Sequence, residues 1–339
     1  MSVTLVPNVC DDPGSAKPSS NGPNWDYMSG DVTRRTFLAG SSLALLGLTV
    51  QGEAQADPII DIHQHLNYSG RSDDALLAHQ RAMGATTTVL LPAGRSVAMP
   101  STHQGVANGL QAEAHGNERC FQFAAAHDSS FRYAANEVPD ISDATREIER
   151  YLQRGAVLIA ELKFGVDCDS PAMQRIYDLA RAHGVPVLMH WQFQMYNYGF
   201  ERFDKILGKY SKVNFLGHAQ TWWAHIDGKY KDDTAQLYPK GPVRPGGLTD
   251  RYLRDYPNMY GDLSAGSGLN ALTRDEAFTR EFLSRHQDKL LFGSDCSDVD
   301  GNGPKCQGSQ TIATIRRLAA SRSIERKLLH DNAKSLLRL

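Results

Sequence analysis

Two histidines separated by one residue close an apolar segment near the start of the chain. His63 and His65 end the stretch PIIDIHQH, residues 58–65. Side chains alternate along a strand, so both imidazoles are predicted to point to the same side, about 7 Å apart. Two neutral imidazoles at that spacing can bind one divalent ion, and Zn²⁺ suits nitrogen ligands of this kind. The pair therefore predicts one side of a metal site.

Three further residues of suitable chemistry follow later apolar segments. His190 follows VPVLM, His218 follows VNFLG, and Asp295 follows KLLFGS. Each has an ordinary explanation by itself, since a buried histidine is usually hydrogen-bonded within a core and Asp295 could cap a helix. Burying four imidazoles and a carboxylate without partners would be costly, however, and a shared metal ion removes that cost.

The elements that must position these residues alternate in type along the chain. Apolar segments predict strands at 58–63, 86–93, 121–127, 156–165, 185–190, 213–218, 258–264 and 289–295. Helical patterns separate them, and the pattern over 171–184 ends at Gly184, a residue typical of helix C-caps. Alternation of this kind predicts an α/β fold with a parallel sheet.

Eight such units favour a single-domain (β/α)₈ TIM barrel over residues 57–339, because about 250 residues is typical of that fold. A doubly wound open sheet is the competing architecture, and it is less favoured because no glycine-rich phosphate loop follows the first strand. In a barrel, the carboxyl ends of all strands meet at one rim. Residues 225–257, rich in Lys, Asp, Pro, Gly and Tyr, predict a lid or rim loop.

The first 56 residues have a different character. Residues 1–30 show no periodicity and predict a disordered leader. The pair Arg34–Arg35 then precedes an apolar stretch of small residues, and Ala54-Gln55-Ala56 forms a small-x-small cleavage site. This order predicts a twin-arginine signal peptide cleaved after Ala56, with a short buried helix as the alternative. We expect the twin-arginine translocation machinery to export 57–339 to the periplasm or the medium, without a stable membrane anchor after cleavage.

Composition narrows the class of protein further. The net charge is −2 and the charges are mixed along the chain, which argues against a nucleic-acid partner. The sequence contains no run of about 18 apolar residues, so no transmembrane helix is predicted. The five cysteines show no CxxC spacing, so a zinc knuckle is not expected. Cys296 and Cys306 either pair across the short segment between them or remain free thiols.

The joint pattern resembles the amidohydrolase superfamily of metal-dependent hydrolases, with HxH on strand one, histidines on strands five and six, and aspartate on strand eight. The segments VPVLMHWQ, VNFLGHAQ, NMYGDLSAGS, KLLFGSD and KLLHDNAKSLL are similar to its amidohydrolase-2 branch, which includes aminocarboxymuconate-semialdehyde decarboxylase. The resemblance covers the chain from about residue 58 to its end. It implies a TIM barrel, a bound divalent metal, a small-molecule substrate and, as in many barrels of this branch, a homodimer.

Strand four distinguishes one metal ion from two. Binuclear members of the superfamily bridge two metals with a carboxylated lysine or a glutamate from this strand. IAELKFG offers both Glu161 and Lys163, spaced to share the inner face. The glutamate looks like the metal ligand of TatD-type hydrolases, which implies that Glu161 bridges two ions and that His190 and His218 hold the second. Mononuclear members lack this ligand. There the resemblance implies one zinc held by the residues corresponding to His63, His65, His190 and Asp295, with His218 acting on the substrate. We expect Glu161 to be a ligand.

The resemblance implies hydrolysis of a C–O or C–N bond in an ester, lactone or amide of a small, aromatic or carboxylate-bearing substrate. Asp295 would accept a proton from the activated water, and His218 would orient the substrate. A non-oxidative decarboxylase or hydratase with a single zinc is the alternative, because the branch hosts those reactions too. A non-catalytic exported metal-binding barrel is the alternative of another class, which the base Asp295 argues against.

Loops after the strands supply candidate substrate contacts. Trp191 and Trp222 suit an apolar or aromatic ligand, although packing of the loops onto the rim explains them equally well. Lys163 could bind a substrate carboxylate or pair with Glu161. Arg95, after strand two, could bind an anion or face solvent.

Overall fold

The computed structural model describes residues 57–105 and 113–339. The predicted leader and twin-arginine signal lie outside the described residues. Asp57–Leu339 form one compact unit. Among the helices of this part of the chain, none has the length and apolar character needed to cross a membrane.

Strands of the described unit pair in parallel, in the order in which they occur along the chain. They are β1 (Ile60–Gln64), β2 (Thr87–Leu90), β3 (Phe131–Tyr133), β4 (Ile159–Leu162), β5 (Val187–His190), β6 (Phe215–His218), β7 (Met259–Asp262) and β8 (Leu290–Leu291). A bridge between Ala135 and Ile159 joins β3 to β4. The Ile62 amide donates to the Phe292 carbonyl at 3.2 Å and joins β1 to the end of β8. The ring is therefore closed, which confirms the predicted (β/α)₈ barrel.

Helices connect the strands on the outside of the ring. They are α1 (Asp73–Met83), α2 (Asn117–Ala126), α3 (Ala144–Leu152), α4 (Pro171–His183), α5 (Asp204–Lys209), α6 (Ala219–Ala224), α7 (Leu248–Asp255), α8 (Ala265–Thr273), α9 (Glu276–Arg285), α10 (Gln307–Leu318), α11 (Arg322–Arg326) and α12 (Asn332–Leu337). Short helical turns lie at Tyr68–Gly70, Phe200–Arg202 and Lys327–Asp331. Gly184 ends α4 in the left-handed conformation, at φ 63°, as its sequence position predicts.

The barrel interior is a compact apolar cluster. Its members in the strands, or directly next to them, are Ile60, Ile62, Val89, Leu91, Ala134, Leu158, Ala160, Leu188, Leu216 and Leu291. Ala333 and Leu337 of α12 belong to the same cluster, so this last helix closes the amino-terminal end of the barrel. A larger cluster fills the layer between strands and helices. Because this apolar cluster fills the barrel interior, polar side chains are expected at the rim formed by the carboxyl ends of the strands.

Register shifts change the direction of the side chains at two strand ends. The pairing of β1 with β2 shifts between Asp61 and Gln64, and the pairing of β4 with β5 shifts between Ile159 and Leu162. Irregularities of this kind re-aim side chains. Because of them, His63 follows the interior residue Ile62 and still reaches the rim, and Glu161 does the same after Ala160.

The predicted third strand is wrong. Residues 121–127 belong largely to α2, and β3 begins only at Phe131. Cys120, Phe123 and Ala124 are buried while Gln122 is exposed, which is the spacing of one helix face and not of a strand. In the predicted rim loop, α7 occupies the end of 225–257. Earlier in it, Arg244 pairs with Asp227 at 2.6 Å.

Candidate metal centre

Five strand ends bring the predicted ligands together. His63 and His65 come from β1, Glu161 from β4, and Asp295 from the segment after β8. His190 and His218 end β5 and β6, where they are register partners. The histidines and Glu161 are at most 3% exposed, and the Asp295 side chain is 13% exposed. The rim therefore holds a buried group of imidazoles and carboxylates with one edge open to solvent.

Four ligand atoms face one another without hydrogen-bonding. The Nε2 atoms of His63 and His65 lie 3.6 and 3.7 Å from Oε2 of Glu161. They lie 3.8 and 3.6 Å from Oδ1 of Asp295. Zn²⁺ binds nitrogen and oxygen at about 2.0–2.2 Å, so tetrahedral ligand atoms lie about 3.3–3.6 Å apart. Both Nε2 atoms and Asp295 Oδ1 are buried without a hydrogen-bond partner. These residues therefore fit a divalent metal ion.

A second group shares the same two carboxylates. Oε1 of Glu161 lies 2.5 Å from Nδ1 of His190 and 3.6 Å from Nε2 of His218. Oδ2 of Asp295 also lies 3.6 Å from Nε2 of His218. Each carboxylate thus presents one oxygen to each group.

Contacts behind the histidines fix which ring nitrogen carries the proton. Nδ1 of His65 lies 2.8 Å from the Leu91 carbonyl oxygen, an acceptor, so Nδ1 must donate. Nδ1 of His63 donates in the same way to Oδ2 of Asp262 at 2.7 Å. The lone pair of a neutral ring is then on Nε2, toward the other ligands.

Asp262 and Ser264 also contact the candidate ligands from behind, at Nδ1 of His63 and Nδ1 of His218. Neither residue was predicted from the sequence. Ser264 Oγ donates to Oδ2 of Asp262 at 2.9 Å and lies 3.0 Å from Nδ1 of His218. Both are fully buried. Their signal in the sequence is GDLS at the end of the seventh strand, which places a carboxylate at the same rim.

Charges and burial set the protonation of the site. Burial and the neighbouring His63 lower the pKa of His65 to about 4, and burial and Lys163 lower the pKa of His190 to about 4. Burial opposes ionisation of Glu161, but His190 and Lys163 outweigh it and hold its pKa well below the usual range. Burial also disfavours a charged His63. The carboxylates of Asp295 and Asp262 nevertheless raise its pKa well above the usual value.

For Asp295, burial again opposes ionisation, yet His63 and a hydrogen bond with His218 lower the pKa of the carboxyl. The ionised carboxylates and the neutral His65 and His190 are the protonation states that metal ligands require.

A second buried carboxylate positions the segment that carries Asp295. Asp61 accepts hydrogen bonds from the Ser294 amide at 2.8 Å, the Ser294 hydroxyl at 2.6 Å and the Gln80 amide at 2.8 Å. The Asp295 amide donates to the His63 carbonyl at 2.8 Å. The segment after β8 is thus fixed against β1, and this fixes the position of Asp295 relative to His63.

The four predicted substrate contacts have different surroundings from one another in the structure. Lys163 is half-buried, with Nζ 5.4 Å from the Tyr196 ring centroid, and its charge acts on Glu161 and His190. Trp191 and Trp222 are fully buried, and both pack against Phe200.

Arg95 forms ion pairs with Glu137 at 2.8 Å and Asp143 at 3.1 Å. The surroundings of Trp191, Trp222 and Arg95 are therefore those of packing and ion-pairing residues, and only Lys163 lies beside the ligands.

A cavity borders the site between the loops after β5 and β6. Gln192, Phe193, Asn197 and Thr221 are among its lining residues. Oε1 of Gln192 lies 3.3 Å from Nε2 of His190. The cavity therefore provides space beside the second group of ligands.

No protein-family model matches the chain, and no curated protein matches it. Solved structures do match. An uncharacterised TIM-barrel protein from Bordetella bronchiseptica is 15% identical, with a TM-score of 0.56, over 83% of this chain and 98% of that chain. A probable 2-pyrone-4,6-dicarboxylic acid hydrolase from Acinetobacter baumannii is 11% identical, with a TM-score of 0.52, over 83% and 99%.

A 2,6-dihydroxybenzoate decarboxylase from Rhizobium is 14% identical, with a TM-score of 0.52, over 83% and 99%. At these identities the similarity establishes the fold. Fold and site together define a TIM barrel with a candidate metal centre at its carboxyl rim.

Proposed function

We propose that this chain is a metal-dependent enzyme of the amidohydrolase superfamily, related to the amidohydrolase-2 branch, and that it hydrolyses a C–O or C–N bond. One observation carries the proposal. The buried Nε2 atoms of His63 and His65 and the buried Oδ1 of Asp295 have no hydrogen-bond partner, and both Nε2 atoms lie 3.6–3.8 Å from oxygens of Glu161 and Asp295. Buried polar atoms in that state are costly without a ligand, and a divalent ion satisfies them together.

The residues divide into ligands and groups that move protons. His63, His65, Glu161 and Asp295 would hold the first ion, and Glu161, His190 and His218 a second. A bound divalent ion, most suitably Zn²⁺, supplies Lewis acidity, which polarises a carbonyl and lowers the pKa of water toward about 7. Asp295 is ionised and partly open to solvent, so it can accept a proton from water and pass it to the leaving group.

His218 is the group placed to orient the substrate. Its Nδ1 lies within hydrogen-bond distance of Ser264, and its Nε2 lies 3.6 Å from Asp295 Oδ2. A substrate carbonyl bound between this nitrogen and Asp295 would contact both groups. This placement supports attack by water on a carbonyl carbon of an ester, lactone or amide.

Lys163 suggests a carboxylate on the substrate. It is half-buried beside Glu161 and His190, and its ammonium group can bind an anion at the rim. Two of the similar structures, by their names, act on a pyrone dicarboxylic acid and a dihydroxybenzoate. Both are small cyclic carboxylates, and we propose a substrate of that class.

Decarboxylation at a single ion is the second candidate, and His190 favours it. Its Nδ1 is hydrogen-bonded to Glu161, and its Nε2 lies 3.3 Å from Gln192. Both ring nitrogens are thus engaged, so His190 is not free to hold a second ion. The Nε2 atoms of His63 and His65, which lie 3.8 and 3.6 Å from Oδ1 of Asp295, remain to hold one ion. A non-catalytic metal-binding barrel is less well supported, because Asp295 keeps one edge open to solvent.

Metal content per chain, measured together with turnover, tests the proposal. Elemental analysis would compare the wild type, Glu161→Gln and the surface control Glu118→Gln, alongside assays on lactones, esters, amides and aromatic carboxylates. One ion per chain fewer in Glu161→Gln than in the wild type, with release of hydrolysis products, supports the hydrolase. The same metal content in all three proteins, with release of CO₂ from a carboxylate, places Glu161 outside the ligand set and supports the decarboxylase. No ion after metal-replete expression contradicts both.

We also propose that the chain is exported by the twin-arginine machinery, on the basis of Arg34, Arg35 and the cleavage site at Ala54–Ala56. Replacing both arginines by lysine should keep the protein in the cytoplasmic fraction, whereas the wild type should reach the periplasmic fraction. Equal distribution of the two proteins would contradict this route.

A further inference from the structure

A second cluster of metal-ligating side chains lies outside the rim site. His79 of α1, Cys296 after β8 and Cys306 at the start of α10 are at most 3% exposed. Their ligand atoms all lie within 4.8 Å of one another. We call these three residues the thiol–imidazole cluster. None of them belongs to the rim site, although Cys296 directly follows Asp295.

Distances within the cluster distinguish a shared ion from a disulfide. The two sulfur atoms are 4.0 Å apart, and Cys306 Sγ lies 3.5 Å from Nε2 of His79. A disulfide needs about 2.05 Å between the sulfurs. Two thiolates that bind one Zn²⁺ at about 2.3 Å each are about 3.8 Å apart, and a thiolate and an imidazole nitrogen are then about 3.5 Å apart. The observed spacings match the shared ion.

The protonation of His79 also suits a ligand. Nδ1 of His79 lies 3.1 Å from Oε1 of Gln80. The orientation of the Gln80 amide is fixed, because its NH₂ group donates to Asp61 and Thr88, both at 2.8 Å. Oε1 must therefore accept, Nδ1 of His79 must donate, and the lone pair is on Nε2, facing Cys306.

Cys306 is placed where a thiolate is stabilised. It caps the amino terminus of α10, a helix of 12 residues, and its sulfur accepts a hydrogen bond from the Ser309 amide at 3.3 Å. Backbone amides at a helix amino terminus favour negative charge. The sulfur is thus prepared for the charge that metal binding requires.

We propose that His79, Cys296 and Cys306 bind a thiophilic metal ion of the Zn²⁺ or Cu⁺ kind, at a site separate from the rim. On binding, the ion forms bonds to both sulfurs and to Nε2 of His79, and the two thiol protons pass to solvent. The ion then links α1, the segment after β8 and α10. Cys296 directly follows Asp295 in the chain, so this link is next to a candidate ligand of the rim site. The Cys296 carbonyl also accepts a hydrogen bond from Arg71 at 2.8 Å.

Cobalt(II) is a suitable probe because only sulfur ligands give a near-ultraviolet thiolate-to-cobalt charge-transfer band. The reduced full chain would be titrated with Co²⁺, and its Zn²⁺ content measured separately. We expect the band in the wild type and no band in Cys306→Ser. Cys306→Ser should also contain one Zn²⁺ per chain fewer than the wild type. His79→Gln should weaken binding of the same ion. Cys168→Ser, which removes a buried cysteine outside the cluster, should keep the band and the Zn²⁺ content.

The wild type alone decides the first point, since a rim of nitrogen and oxygen ligands gives no such band. Its absence overturns the proposal, and so does a band that persists in folded Cys306→Ser. Thiol counts in denaturant, with and without a disulfide reductant, give a second measurement on the unreduced wild type. In the wild type, two thiols that become countable only after reduction, together with a Cys296 thiol that is countable without reduction in Cys306→Ser, would assign the pair as a disulfide and overturn the metal site.

Discussion

Nδ1 of His63 and Oδ2 of Asp262 lie 2.7 Å apart, and both residues are fully buried. The carboxylate can only accept, so the ring donates from Nδ1 and directs Nε2 toward Glu161 and Asp295. An aspartate on β7 thereby controls a candidate ligand on β1. Residues behind ligands commonly change metal affinity without touching the ion.

Asp262→Asn should weaken metal binding by about 10–100-fold, because the amide no longer holds the His63 proton on Nδ1. The measurement is competition with a chelator of known affinity, read as metal retained per chain. Asp143→Asn is the matched control, since Asp143 is an ion-paired aspartate of the surface. Equal retention by the two variants would contradict the assigned role of Asp262.

Metal binding at neutral pH should release a proton from His63. Asp295 and Asp262 raise the pKa of this ring, so the metal-free protein carries protons on both nitrogens, and the ion needs one lone pair. The affinity should therefore rise with pH until the pH passes the pKa of His63. His65 and His190, each with a pKa of about 4, should contribute no protons at pH 7.

Calorimetry in two buffers of different ionisation enthalpy, both at pH 7, measures this release. The titration is repeated in Cys306→Ser, so that thiol protons released at the thiol–imidazole cluster are separated from the His63 proton. The observed heat should differ between the buffers in proportion to the protons released. Asp262→Asn removes one cause of the raised pKa and should release fewer protons. Identical heats in both buffers for the wild type would contradict a protonated His63.

Gly293→Ala should disturb the packing around two residues of the candidate site, His63 and Asp262. A methyl group at Gly293 would lie 2.7 Å from Oδ1 of Asp262 and 2.8 Å from Cβ of His63, which is too close for either contact. We expect a loss of about 1–3 kcal/mol in the free energy of unfolding, with reduced metal content. Urea unfolding and elemental analysis give the two measurements.

Gly208→Ala is the matched control for that substitution. Gly208 lies in α5, and a methyl group there would contact nothing within 4 Å. It should increase stability by about 0.5–1 kcal/mol. If the two alanine variants behave alike, the close contacts at Gly293 do not limit packing.

Asp61→Asn should be strongly destabilising. The oxygens of Asp61 accept from Ser294 and Gln80, and an amide would turn an NH₂ group toward those donors. We expect a loss of about 2–4 kcal/mol in the free energy of unfolding. Asp57→Asn, in an exposed pair with Arg322, should cost about 1 kcal/mol or less. Similar losses for both variants, by urea unfolding, would contradict the role given to Asp61.

The barrel could be predicted because most strands are apolar runs that alternate with helical patterns along the chain. The third strand could not. The run 121–127 has enough alanine and phenylalanine to suit either a helix or a strand, and burial of Phe123 with Cys120 selected the helix. The actual strand, Phe131–Tyr133, is three residues long and carries no periodic signal.

The candidate ligands could be predicted because they lie at or near the ends of predicted strands. In the structure they lie close together at the rim; they are His63, His65, Glu161, His190, His218 and Asp295. That they bind metal stays a prediction. Asp262 was missed because one aspartate in GDLS has no spacing that distinguishes it from a capping residue. The surroundings of Trp191 and Trp222 could not be read from composition, because aromatic loop residues suit a core and a ligand equally.

The seam that closes the barrel has a consequence for the order of synthesis. The Ser294 amide donates to Asp61 across 233 residues of chain, and the Asp295 amide donates to His63 at the same seam. A nascent chain that has left the ribosome only through β7 holds His63, Glu161 and His218 but lacks the strand that completes the ring. The complete set of candidate ligands can therefore assemble only after the segment that carries Asp295 has been made, long after His63 and Glu161.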